Sequence, residues 1–168
     1  MTSLCAALLS VAVIGISSSP LSAQTRPDFT GLWEEDASQR KSPYDKATAG
    51  GGAKSLARPS VPLRLTQTSE RLIIERTFMG QVTRMAYDFD GRENTNHTGA
   101  QIHTTRSRWE GGKLITEGSI FQLTSQGEQS WKLKESSWMT PKGELVIERT
   151  QIDEDNVAGT VYRVFKKQ

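Results

Sequence analysis

The chain has 168 residues, with 21 Lys and Arg against 19 Asp and Glu, a net charge of +2 and 35% apolar residues. That length bounds it to one domain or two. The near-cancelling charge argues against a nucleic-acid partner held by net charge, and a lone Cys excludes a disulfide framework within the chain.

The first element reads as an address. Residues 4–16 form an apolar run, and Ser17–Ala23 follows it, ending in small residues at Ser22-Ala23. The run is too short for the ~20-residue helix that spans a bilayer, and it has the length of a signal-peptide core, with cleavage expected after Ala23. No Lys or Arg precedes Arg26, so the basic start of such a signal is missing; a start codon assigned too far downstream would explain that. Cys5 leaves with the signal, and a mature chain from residue 24 to residue 168 without Cys suits an oxidising compartment. The expectation is a secreted or periplasmic protein. No later stretch is apolar enough to cross a membrane as a helix.

A strand is predicted at Phe29–Glu35. Asp36–Ser60 follows without a clear period and contains Pro43, Gly50-Gly51-Gly52 and Pro59. It is expected to be a long flexible loop, either a lid or disordered. From Val61 onward the punctuation is regular. Strands are predicted at Val61–Gln67, Arg71–Phe78, Gln81–Phe89, Gln101–Trp109, Lys113–Thr124, Gln129–Met139, Glu144–Ile152 and Val157–Lys166. Short joints such as Met79-Gly80, Asp90-Gly91 and Glu110-Gly111-Gly112 supply the positive φ of tight hairpin turns. Within the strands the residues alternate. Thr83, Met85, Tyr87 and Phe89 share one face, and Trp131 and Leu133 oppose Lys132 and Lys134.

An internal echo runs through this pattern. Arg71–Thr77 (RLIIERT) nearly matches Glu144–Thr150 (ELVIERT), with Lys113–Ser119 as a looser copy. The Leu residues of the three copies lie 42 and 31 positions apart, so this is no strict repeat array. Leu and Ile at i and i+2 are expected to face inward.

A run of strands joined by short turns is an antiparallel up-and-down meander. An open one exposes two sheet edges, and closing it removes them. The predicted fold is therefore all-β, a single barrel domain of roughly eight to ten strands, with a half-open barrel or a sandwich as the alternative. An outer-membrane barrel is disfavoured, because the strands carry charge on both faces.

The first strand contains Gly31-Leu32-Trp33 and the last contains Tyr162-Arg163-Val164-Phe165. A Gly-x-Trp heading a β-meander, with an Arg in the closing strand, resembles the calycin barrels, that is, lipocalins and fatty-acid-binding proteins. With Asp90-Gly91 and Trp109-Glu110-Gly111, the chain also resembles small secreted bacterial proteins of lipocalin-like type. The resemblance implies that Trp33 closes one barrel end with Arg163 across its ring, a cation–π contact tying first strand to last, with Gly31 beside them. The mid-barrel Thr-Asp-Tyr of lipocalins is absent, and Tyr87-Asp88-Phe89 is its nearest counterpart.

Catalytic signatures are absent: the sequence has no Gly-x-Ser-x-Gly, phosphate loop or His-Glu-x-x-His. Its two His, His97 and His103, lack a third ligand at fixed spacing, so neither a metal nor another cofactor is expected. His97 is read in a solvated turn, and His103 on an inward face with Thr105 and Trp109. Arg84, Arg106, Arg108, Lys132 and Lys134, interleaved with Glu75, Glu117 and Glu148, read as a solvated exterior. Candidate pocket residues are Met85, Tyr87, His103, Thr105, Phe121, Trp131 and Leu133, since a small barrel either fills its interior or leaves room for one ligand.

The leading expectation is non-enzymatic: a monomer that binds or carries a small apolar or amphipathic molecule in the barrel. A filled barrel serving as an envelope-interaction or inhibitor module is the alternative. An enzyme on the same scaffold, with His103 and Tyr87 as acid–base groups, comes third. An interior cavity above about 300 Å³ separates the first from the second.

Overall fold

The computed structural model describes residues 26–43, 61–152 and 157–168. Ten strands form one antiparallel sheet: β1 (Gly31–Glu35), β2 (Leu63–Gln67), β3 (Arg71–Phe78), β4 (Gln81–Asp88), β5 (Glu93–Thr98), β6 (Gln101–Glu110), β7 (Lys113–Thr124), β8 (Gly127–Met139), β9 (Leu145–Ile152) and β10 (Val157–Lys167). Each strand pairs with its chain neighbour except across β4 and β5, while β1 pairs with β10. The sheet thus curls into a nearly closed barrel with a single unladdered seam between β4 and β5.

The seam explains the strand the sequence reading passed over. Glu93–Thr98 falls between the predicted strands, where His97 is read in a solvated turn; it is β5, and His97 is exposed on its outer face. Asn94 and Asn96 point the other way and seal the gap. Asn96 donates from Nδ2 to the Ala86 carbonyl (2.8 Å) and accepts from the Ala86 N–H at Oδ1 (2.7 Å), and Asn94 also donates to that carbonyl. Two side-chain amides thereby stand in for a missing ladder and satisfy backbone groups that an open edge would strand.

The alternation read from the sequence sets the inner face. Leu72 and Ile74, and Leu145 and Ile147, the paired positions of the two close echo copies, are all buried. They join Phe29, Trp33, Leu65, Met85, Tyr87, Phe89, Leu114 and Phe165 in one apolar core. Trp33 is fully buried and donates its indole N–H to the Phe29 carbonyl at 2.8 Å. Phe29 and Phe89 each stack on Trp109 with centroids 5.4 Å apart, filling the end of the barrel that also holds the described chain ends.

The expected contact between Trp33 and Arg163 is not formed. Register places Trp33 opposite Lys167, whose Nζ lies 5.7 Å from the indole centroid, and Arg163 instead sits beside Phe165 with its face to the interior. Gly31 makes that closure possible, because a Cβ there would lie 2.5 Å from Lys167 Cε, at a φ of +150° that favours glycine. First and last strand do pair, and the cation over the Trp33 ring lies four residues beyond Arg163 along β10.

Of the stretch Asp36–Ser60, residues 36–43 are described and are part of the fold. Asp36 caps a short 3₁₀ turn (Ala37–Gln39), its N–H bonds the Val164 carbonyl, and Lys41 and Tyr162 exchange backbone bonds. Residues 44–60, like the predicted signal at 1–23, lie outside the described residues.

Candidate functional site

The opposite half of the barrel has a different interior. The same period of two that puts Leu72 and Ile74 inside continues to Arg76 on β3, and Leu145 and Ile147 continue to Arg149 on β9. Leu133 continues to Glu135 on β8, and Phe165 leads back to Arg163 on β10. With Glu35 on β1, three guanidinium groups face two carboxylates within the barrel. Charges at such positions run against the general rule, because Lys, Arg, Asp and Glu are mostly exposed.

Glu135 and Arg149 are cross-strand partners and form the tight pair of the cluster. Arg149 Nε and Nη2 each lie 2.6 Å from Glu135 Oε2. Burial opposes ionisation of Glu135, but Arg149, with Arg163 and Arg76 behind it, outweighs burial and holds the carboxyl below its usual value. Arg149 is raised in turn, by Glu135 against the cost of burial. Arg76 and Arg163 are held in the opposite sense. Burial, then repulsion from Arg149 and Arg76, brings Arg163 down to about 10. Burial and Arg149 likewise lower Arg76. The Nε of each is buried without a hydrogen-bond partner among the described residues. Two buried cations short of acceptors define a place where an anion is stabilised.

A cavity of about 310 Å³ opens onto this cluster, lined by Val61, Arg76, Phe78, Thr83, Met85, Thr98, Gln101, His103 and Arg149. It lies at the end carrying the β3–β4 and β5–β6 turns. Phe78, Met79 and Val82 are exposed on the rim there, and the Met79-Gly80 turn has both residues at positive φ. Two larger hollows, about 480 and 460 Å³, lie elsewhere. Their charges are engaged in surface pairs, Arg71 with Asp88 at 2.9 Å and Asp90 with Arg92 at 2.6 Å in one, Arg108 with Glu117 at 2.9 Å in the other. They offer no buried group in need of a partner.

Among the predicted pocket residues, Met85 and His103 line the cavity. Tyr87, Thr105 and Leu133 are buried deeper, and Trp131 shares the inward face of Ile120 and His103. Phe121 is on the outer face. It pairs with Ile102 and Ser130, while its neighbour Ile120 takes the inward position. Tyr87 donates a hydrogen bond from its hydroxyl to Met85 Sδ (3.4 Å), and burial, with Glu135 adding to it, lifts the phenol to about 12, so it stays neutral. Thr105 donates to Asn94 Oδ1 at 3.1 Å. Among the described residues no three His, Cys, Asp or Glu side chains converge as metal ligands, and no helix is long and apolar enough to cross a membrane. Arg76 and Arg149 are the interior residues sequence reasoning missed. Their signal was present, in the echo itself, which carries Arg two positions beyond each inward Ile.

No family model and no curated sequence matches the chain. Solved structures do. Apo lipid binding protein 8 of Caenorhabditis elegans aligns with a TM-score of 0.57 at 13% identity, covering 83% of this chain and 95% of that one. A fatty acid transporter, REP1-NXSQ, aligns with a TM-score of 0.56 at 14% identity over the same shares. The meander of ten strands, the single seam and these alignments together show the fold, a nearly closed antiparallel β-barrel of the kind these lipid-binding structures have.

Proposed function

We propose that the barrel binds a small amphipathic molecule with an acidic head, the head seated against Arg76 and Arg149 and the apolar part against Met85, Phe78 and Val61. The observation that carries this reading is the cavity opening onto a cluster in which guanidinium groups outnumber carboxylates and the buried Nε of cavity-lining Arg76 has no acceptor among the described residues. A carboxylate seated there supplies the missing charge and an acceptor for Arg76, and the apolar rim gives a chain somewhere to lie out of water. The neighbouring folds belong to a lipid binding protein and a fatty acid transporter, ligand classes with this two-part chemistry.

Calorimetric titration with dodecanoate and with dodecanol tests it. Dodecanoate is expected to bind in the micromolar range, on the order of −8 kcal/mol, and at least about tenfold more tightly than the alcohol. Arg76→Met is expected to remove that preference without weakening dodecanol. If neither probe binds, the filled half of the barrel favours the other reading, a scaffold that works through its outer surface. The same reading takes residues 1–23 as a secretion signal and the mature chain as secreted or periplasmic. N-terminal sequencing of the exported protein is expected to start at Gln24, and a retained Met1 overturns that part.

A further inference from the structure

His103 lines the cavity together with Arg76 and Arg149, and its hydrogen bonds fix which nitrogen carries the proton. Gln101 donates its amide N–H to Gln122 Oε1 at 2.8 Å, which turns Gln101 Oε1 toward the imidazole. His103 Nε2 lies 3.2 Å from that oxygen and 3.1 Å from Thr98 Oγ1. Nε2 therefore holds the hydrogen and donates to Gln101 Oε1. Nδ1 is left as a bare lone pair, buried and without a partner among the described residues. A second proton on the ring would sit on Nδ1 as a donor with nothing in the empty barrel to receive it.

We propose that His103 couples ligand binding to proton uptake: an anion seated at Arg76 and Arg149 makes the imidazolium favourable, so affinity rises as the solution turns mildly acidic. The inference rests on the acidic-head reading above. Around His103, the flanking partners on β5 and β7, Asn96, Thr98 and Ile120, carry no charge. The charged and titratable groups come from across the barrel: Arg76 on β3, Tyr87 on β4, Glu135 on β8 and Arg149 on β9, with Glu35 and Arg163 in the same cluster. In the empty barrel burial, then Arg149, then Arg76 hold the imidazole below its usual value, and Glu135 only partly opposes them. A bound anion offsets the two arginines and gives Nδ1–H an acceptor. The folded, liganded pKa then exceeds the unliganded one. By linkage the complex binds more protons than the free protein between those two values, and affinity falls as pH rises through that window.

The test uses the full protein and dodecanesulfonate, whose head stays ionised throughout, so any pH dependence belongs to the protein. The chain has two His, and exposed His97 on the outer face of β5 serves as an internal reference in an NMR titration of the ring protons. A rise of about one unit in the His103 pKa on binding, with His97 unmoved, is expected. That rise corresponds to about tenfold tighter binding below the window than above it and to uptake of about half a proton at its centre. His103→Gln keeps a donor for Gln101 Oε1 but cannot titrate, and its affinity is expected to be flat with pH. An unchanged His103 pKa in the wild-type complex, or the same pH dependence in both proteins, overturns the coupling while leaving the ligand reading intact. Failure of both dodecanesulfonate and dodecanoate to bind at any pH overturns the ligand reading and the coupling with it.

Discussion

Glu135→Gln is the most informative single change to the interior. The substitution keeps the shape of the side chain and removes its charge. Glu135 is 6% exposed, and its Oε2 accepts both Arg149 Nε and Nη2 at 2.6 Å. In the variant Arg149 joins Arg76 and Arg163 as a third buried cation, with Glu35 as the remaining carboxylate of the cluster. Breaking a buried pair by removing one charge costs about 3–5 kcal/mol. The Gln carbonyl still accepts a hydrogen bond, which moves the expectation to the lower end, about 3 kcal/mol. For a domain whose whole stability is about 5–15 kcal/mol, urea denaturation followed by tryptophan fluorescence resolves that easily. The pH dependence checks the cause. Glu135 is held below its usual value in the folded state, so its contribution is fully present above the unfolded carboxyl pKa. It is lost as pH falls through the folded one. Wild type and variant should therefore converge in acid. A loss below about 1 kcal/mol at neutral pH, or a gap that widens as pH falls, would refute the charge argument.

Two further changes test the closed end and the seam. Trp33→Ala removes a fully buried indole and its bond to Phe29, and a loss of about 3–5 kcal/mol is expected in the same denaturation assay; a loss under about 1 kcal/mol, the size of an ordinary point mutation, would show that Trp33 does not plug the barrel. Asn96→Ala strips the acceptor from the Ala86 N–H, while Asn94 still serves the Ala86 carbonyl. The cost is that of one orphaned donor, about 1–3 kcal/mol, and amide exchange at Ala86 should accelerate far more than at Ile74 in the neighbouring ladder.

The barrel was legible because a meander announces itself twice, in turn residues and in a period of two. What failed to show was whatever depended on register. Arg163 and Lys167 lie on the same face of one strand, and either could cross the Trp33 ring. Which one does is set by how β10 slides against β1, and the long connection between β1 and β2 gives no sequence cue to that slide. Ile120 and Phe121 are adjacent apolar residues, so alternation alone cannot say which turns inward; pairing with His103 and Trp131 selects Ile120. Strand β5 has no apolar residue from Glu93 to Thr98, since its inward amides serve the seam rather than the core. The interior arginines illustrate the reverse case. The facing of Arg76 and Arg149 is readable from Ile74 and Ile147, and the general expectation that charge belongs in water is what obscures it.

That expectation is sound energetics, which is why the cluster bears on function. Replacing a buried ion pair by apolar residues of similar volume is often neutral or stabilising by about 1–4 kcal/mol. A barrel shaped for stability alone would carry the leucine and isoleucine rows of β3 and β9 on past Ile74 and Ile147. This one turns to Arg76 and Arg149 at the same step of both strands, where the cavity begins. The double substitution Glu135→Leu with Arg149→Met separates the two explanations. If the pair exists to hold the fold, the double variant is less stable than wild type. If it exists to keep a cation ready for an acidic head, the variant matches or exceeds wild type in urea and loses the preference for dodecanoate over dodecanol. A variant that is both weaker in urea and unchanged in that preference would assign the cluster to structure, and the filled-barrel reading would then stand in its place.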